Sequence, residues 1–279
     1  DLPLAAGLSS SAAVELASGL ALLQLAGHEL CKSDLARLCR RAENEFVGLP
    51  CGILDQGVSA YGQKDHLVFI DCEKENFSTV PLPPNTYLWI FDTGIKHDLV
   101  DSLYSTRHSE CSQALKLLKK CEPALPCLAA ASEELLTLTD LPEPLSKRAL
   151  HVVEENARVN LAIDLLLDGA PSKEIGQLLF ASHASSRDLF ENSCPELDFL
   201  VNDLRGHPSV LGARLTGGGF GGAVLAWTEH EFSQTEANGV AATFRKQFGN
   251  DPQIHRFEAS QGARITDPLE KPDHRFSAN

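Results

Sequence analysis

Three stretches of the chain bring together side chains that could do chemistry. Gly7, Leu8, Ser9, Ser10, Ser11, Ala12 and Ala13, with Pro3 upstream, stand directly before an apolar, helix-forming run that reaches Leu25. Glycine opens backbone angles closed to other residues, and small serines let an anion reach the backbone N–H groups. A helix starting here would aim its free amides and the positive end of its dipole at that anion, as phosphate binding requires. A serine before a helix also serves simply as its cap. In the second stretch, from Arg41 to Gln56, Glu43 ends an amphipathic pattern and Asp55 follows a turn marked by Gly48, Pro50 and Gly52. By itself Asp55 reads as the cap of a helix expected over 55–61.

The third stretch, Leu211 to Trp227, reads as strand, tight loop, strand. Its loop holds Gly217, Gly218, Gly219, Gly221 and Gly222, with Phe220 as the one bulky side chain. A plain hairpin needs only two turn residues, so this much glycine points to a loop that closes around something. No Gly-Lys-Ser/Thr follows, and no acidic partner completes a dinucleotide fingerprint.

Taken in order, Pro3 to Ala13, then Glu43, then Gly52-Ile53-Leu54-Asp55-Gln56, then Thr216 to Gly222 resemble the GHMP sugar and metabolite kinases. Cys51 before Gly52, the pair Leu103-Tyr104, the run Ser193-Cys194-Pro195-Glu196-Leu197-Asp198 and Arg214-Leu215 before the glycine loop resemble the galactokinase family within them. The likeness extends from the first residue to about Arg264. It implies an α+β, two-domain GHMP kinase fold with a ferredoxin-like carboxy-terminal domain and nucleotide bound in the cleft between domains.

The resemblance also implies roles. Pro3, Gly7, Leu8, Ser9, Ser10, Ser11 and Ala12 would bind ATP, and Ser11 with Glu43 would hold Mg²⁺ through hard oxygen donors. Asp55 would take or orient the proton of a sugar hydroxyl as it attacks the terminal phosphate. Gly52, Asp55, Tyr104, Gly218 and Gly219 would contact the sugar. The expected reaction is phosphorylation of an anomeric hydroxyl, first of D-galactose. Kinases for N-acetylgalactosamine, arabinose or uronic sugars, and a non-catalytic sugar sensor, are the alternatives. His183 is read as structural, because the resemblance assigns the base to Asp55.

One family feature is missing. The signature Gly-Arg-x-Asn-Leu-Ile-Gly-Glu-His-x-Asp-Tyr, which holds the sugar and supplies an arginine beside the phosphate, does not occur. The chain therefore reads as a fragment with a truncated amino-terminal domain, not expected to turn over by itself. It has no Met, and Leu54 and Leu215 stand where the family often has one.

At 279 residues and 43% hydrophobic, the chain can bury a substantial core. A net charge of -14 with no basic stripe argues against nucleic acid and gives no reason to bind anionic membranes. Eight cysteines without a C-x-x-C pair read as reduced thiols of a cytoplasmic protein. The expected partners are therefore small molecules, and the protein could be a monomer or a dimer.

Periodicity predicts helices over 10–25, 33–45, 109–120, 147–168, 173–187, 195–205 and 231–248. Strands are expected over 66–71, 87–92 and 253–258, and on both sides of the glycine loop. A boundary near Gly94 would divide 1–94, the remainder of the amino-terminal domain, from 95–279, the carboxy-terminal one. Residues 267–279 are expected to form a poorly ordered tail.

Overall fold

The computed structural model describes residues 9–48, 51–96 and 100–266. They form two compact units. One takes the described residues up to Thr79 together with those from Ala259, and the other those from Val80 to Glu258.

The first unit contains helices α1 (Ser10–Ala26), α2 (Lys32–Ala42) and α3 (Leu54–Tyr61), followed by strand β1 (His66–Asp71) and its partner β2 (Asn76–Pro81), which belongs to this unit as far as Thr79. Leu16 of α1, Leu35, Ala36 and Cys39 of α2, and Ile53 and Ala60 around α3 make its core. Gly57 is required where α3 meets the sheet, because a Cβ there would lie 2.5 Å from the Phe77 ring. The chain's last described stretch returns to this unit, with Ala263 N–H donating to Ser59 and Gly262 N–H to Gly62, each at 2.7 Å.

The second unit is built on an antiparallel sheet of β3 (Thr86–Lys96), β4 (Val210–Thr216), β5 (Gly221–Glu229) and β6 (Gln253–Phe257) in the order β4-β5-β3-β6. Helices α4 (Val100–Cys121), α5 (Glu133–Thr139), α6 (Leu145–Leu167), α7 (Ser172–Ser185) and α8 (Pro195–Arg205) lie between β3 and β4, and α9 (Gln234–Phe248) lies between β5 and β6. This is the β-α-β-β-α-β order of a ferredoxin-like sheet, with several helices in the first crossover. Strand side chains alternate. Trp89, Phe91, Leu215 and Val224 pack with Leu197, Leu200, Val201 and Leu204 of α8 and Val240 and Phe244 of α9, whereas Leu88, Leu211 and Trp227 join Ile175 of α7 and Leu165 of α6. Two glycines let α7 lie flush on β4, since a Cβ on Gly212 would sit 2.0 Å from the Gly176 carbonyl oxygen.

The observed boundary falls between Thr79 and Val80, upstream of Gly94. The reason is β3, whose partners Ala223 to Glu229 and Gln253 to Phe257 all lie far downstream. The helix expected over 33–45 stops at Ala42 and continues as a π turn, Glu43–Val47, closed by Gly48 at φ 84°. The helix expected from 231 begins at Gln234, because Ser233 and Glu236 form a reciprocal capping box. Strand β2 and helix α5 had no sequence expectation, and residues 267–279 lie outside the described residues.

Candidate active site

Helix α1 opens without a side-chain cap. Ser9 is the N-cap residue in the left-handed region, φ 55° and ψ 42°, and its hydroxyl makes no capping bond. The Ser9 hydroxyl therefore does not cap the first-turn amides. Ser11, two positions into the helix, donates its hydroxyl to Glu43 Oε1 at 3.1 Å, across 32 residues of sequence.

Glu43 reaches that position from the π turn, a local widening that re-aims side chains at the end of a helix. Only 8% of it is exposed. Its second oxygen, Oε2, accepts from Gln56 Nε2 at 2.6 Å and from the Cys51 thiol at 3.4 Å. Asn44 fixes the turn that follows, accepting from Cys51 N–H at 2.8 Å and donating to the Cys51 carbonyl at 3.3 Å. Gly52 comes next, exposed, with open space where a side chain would stand.

Asp55 is not the cap of α3, whose N-cap residue is Ile53. It lies inside the first turn, half-buried, and among the described residues its carboxylate has no hydrogen-bond or ion-pair partner. Glu15 stands close by, its carboxyl accepting from Gln56 Nε2 at 3.2 Å. Burial raises the Glu15 pKa, the Gln56 bond opposes that, and the charges of Glu43 and Asp55 raise it further. Three carboxylates and one hydroxyl thus gather at the start of α1. Sequence reasoning missed Glu15 and gave Gln56 no role. The available signal was spacing, since Glu15 follows Ser11 by four residues and so shares its helix face.

The Ser11 hydroxyl and Glu43 carboxylate are hard oxygen donors, the kind that magnesium takes while keeping several waters. Among the described residues no group of three or more His, Cys, Asp or Glu is arranged to hold a metal ion by itself. Pro3, Gly7 and Leu8 lie outside the described residues.

In the second unit the glycine loop joins β4 to β5. Gly217, Gly219, Gly221 and Gly222 have φ of 77°, 79°, 120° and 80°, and Phe220 joins them at 58°. Asn192 grips the loop, its carbonyl accepting from Phe220 N–H at 2.7 Å and its side-chain amide donating to the Gly218 carbonyl at 3.1 Å. A Cβ on Gly219 would lie 2.0 Å from that Asn192 carbonyl. Tyr104 on α4 is 50% exposed, and its ring stands 3.6 Å from where a Gly218 Cβ would be. Tyr104 and Gly218 are therefore neighbours. His183 is buried and structural in its contacts. Its Nδ1 accepts from Leu215 N–H at 3.2 Å, so the proton sits on Nε2 and is donated to Asp198 at 3.1 Å.

Two family profiles match, GHMP kinases N terminal domain over residues 1–63 and GHMP kinases C terminal over residues 167–250. A galactokinase of Thermotoga maritima is 41% identical over 263 residues, which cover 94% of this chain and 73% of that protein. This chain belongs to the galactokinase family of GHMP kinases. A Roseiflexus galactokinase is 38% identical over 94% of this chain and 67% of its own. The crystal structure of Lactococcus lactis galactokinase complexed with galactose superposes with a TM-score of 0.87 at 31% identity, over 94% of this chain and 68% of that one. A mevalonate kinase of L. major, with a TM-score of 0.59 at 21% identity, shares the fold. The chain is accordingly a galactokinase-like kinase with the α+β fold of the GHMP group, and ATP is the phosphoryl donor of that group. Among the described residues no helix is long and apolar enough to cross a membrane.

Proposed function

We propose that this chain carries the phosphate loop and catalytic carboxylate of a galactokinase, transferring the terminal phosphoryl group of ATP to the anomeric hydroxyl of D-galactose. The products are ADP and galactose 1-phosphate. The backbone amides at Ser9, Ser10, Ser11 and Ala12, with Pro3, Gly7 and Leu8 ahead of them, bind the nucleotide phosphates. Ser11 and Glu43 hold Mg²⁺, which when bound offsets charge on the phosphate oxygens. Asp55 accepts the proton of the attacking hydroxyl, or orients that hydroxyl for attack. Gly52, Tyr104, Gly218 and Gly219 contact the sugar.

The observation that carries this reading is the 3.1 Å Ser11–Glu43 bond at a helix start that the Ser9 hydroxyl does not cap, with Asp55, which has no partner among the described residues, near enough for its charge to act on Glu15. A cap and a surface carboxylate would not be brought together in this way. In a protein that carries this chain together with the amino-terminal sugar-holding signature, ADP release from ATP should depend on both sugar and Mg²⁺, with galactose preferred over N-acetylgalactosamine and arabinose. A different preferred sugar would move the protein to a neighbouring sugar 1-kinase. Tight sugar and nucleotide binding without any sugar-dependent ADP release would identify a sensor instead.

A further inference from the structure

Gln56 occupies the first turn of α3, next to Asp55, and is fully buried. Its amide nitrogen donates to two carboxylates at once, Glu43 Oε2 at 2.6 Å and Glu15 Oε2 at 3.2 Å. Its own oxygen, Oε1, is buried with no hydrogen-bond partner among the described residues. Turning the amide over would set that oxygen against two carboxylate oxygens, so the contacts fix its orientation. A buried carbonyl left without a partner costs stability. The arrangement keeps the donor end on the acids at that cost.

The result is an asymmetric Glu43. Oε2 is engaged by Gln56 and Cys51, while Oε1 faces the Ser11 hydroxyl. We propose that Gln56 is a positioning residue that fixes Glu43 as a one-oxygen metal ligand, with Glu15 holding the Gln56 amide in the orientation this requires. The inference rests on the assignment of Ser11 and Glu43 to Mg²⁺ above. Without the amide, Oε2 keeps only the longer 3.4 Å contact from the Cys51 thiol, and Oε1 is held less firmly beside Ser11.

The test uses Mn²⁺ as the probe, its free signal followed by electron paramagnetic resonance in the presence of saturating ADP. Gln56→Leu, which keeps the volume and removes the donor, should weaken Mn²⁺ binding by roughly 10- to 100-fold, the range for lost outer contacts to a metal ligand. Gln56→Met, which fills the same space with a flexible chain, should do the same if Gln56→Leu does not fold. In a Glu43→Gln background, where the ligand is already gone, the same changes should shift Mn²⁺ binding by less than about twofold. Their effect on the melting temperature should persist there. Wild-type affinity in Gln56→Leu or Gln56→Met would overturn the role of Gln56 and leave the metal site standing. Equal losses in both backgrounds would also overturn it, by showing a general structural defect. If Glu43→Gln itself leaves Mn²⁺ binding unchanged, the metal assignment fails and this inference with it.

Discussion

Replacing Asp55 by Asn tests the proton-accepting role with little disturbance to the fold. The carboxylate has no partner among the described residues, so no hydrogen bond or ion pair is broken. Its one evident structural benefit is a negative charge in the first turn of α3, a dipole interaction of about 0.3–1 kcal/mol. Against that, its charge bears on nearby Glu15, contributing to the raised pKa there, and the amide relieves this repulsion. The two effects oppose each other, so the net change in stability should be under about 1 kcal/mol. Turnover is another matter. Losing a general base costs about 10²- to 10⁴-fold, equivalent to roughly 3–5 kcal/mol in the barrier. The assay, run in a protein that carries this chain together with the amino-terminal sugar-holding signature, is sugar-dependent ADP release at saturating ATP and Mg²⁺, together with urea unfolding and the dissociation constant for ADP. Near-normal turnover in Asp55→Asn would refute the assignment, and a large loss of stability would refute the structural account of an unpartnered carboxylate.

Ser11→Ala and Glu43→Ala should each raise the Mg²⁺ concentration needed for half-maximal activity, since each removes an oxygen donor; an unchanged Mg²⁺ titration in both would remove them from the metal site. Gly219→Ala should destabilise by roughly 2–5 kcal/mol, combining the left-handed backbone with overpacking against the Asn192 carbonyl. Gly218→Ala, whose methyl would meet Tyr104 at an ordinary 3.6 Å, should leave the unfolding midpoint almost unchanged, and equal midpoints for the two variants would contradict the loop geometry. Burial pushes the His151 pKa down from 6.5 to about 4, outweighing the nearby Glu155 charge. The unfolded chain therefore takes up a proton that the folded one refuses, and stability present above pH 6.5 should fall as the pH drops toward 4, by up to about 1.4 kcal/mol per pH unit. His151→Gln should flatten that part of the profile, and parallel profiles would show that another group is responsible.

Local pattern determined much of this protein. The apolar run after the serines, the amphipathic spacing of α8 and the apolar run of β1 are properties of neighbouring residues, so they can be read directly and agree with the elements observed. The serine run, Glu43, Asp55 and the glycine loop stand out in the sequence for a related reason: motifs of short span can be recognised from neighbouring residues. What lay beyond reach depended on residues far apart in sequence. Strand β3 belongs with the second unit because its pairing partners lie more than a hundred residues downstream. Asp55 reads as a cap until Ile53 is seen to begin α3, and Glu43 reads as the end of a regular helix until the π turn brings it beside Ser11. Glu15 and Gln56 acquire meaning only when three helices meet. Desolvation then makes every buried polar atom find a partner or bear a cost, and that constraint arises from packing, not from the order of residues along the chain.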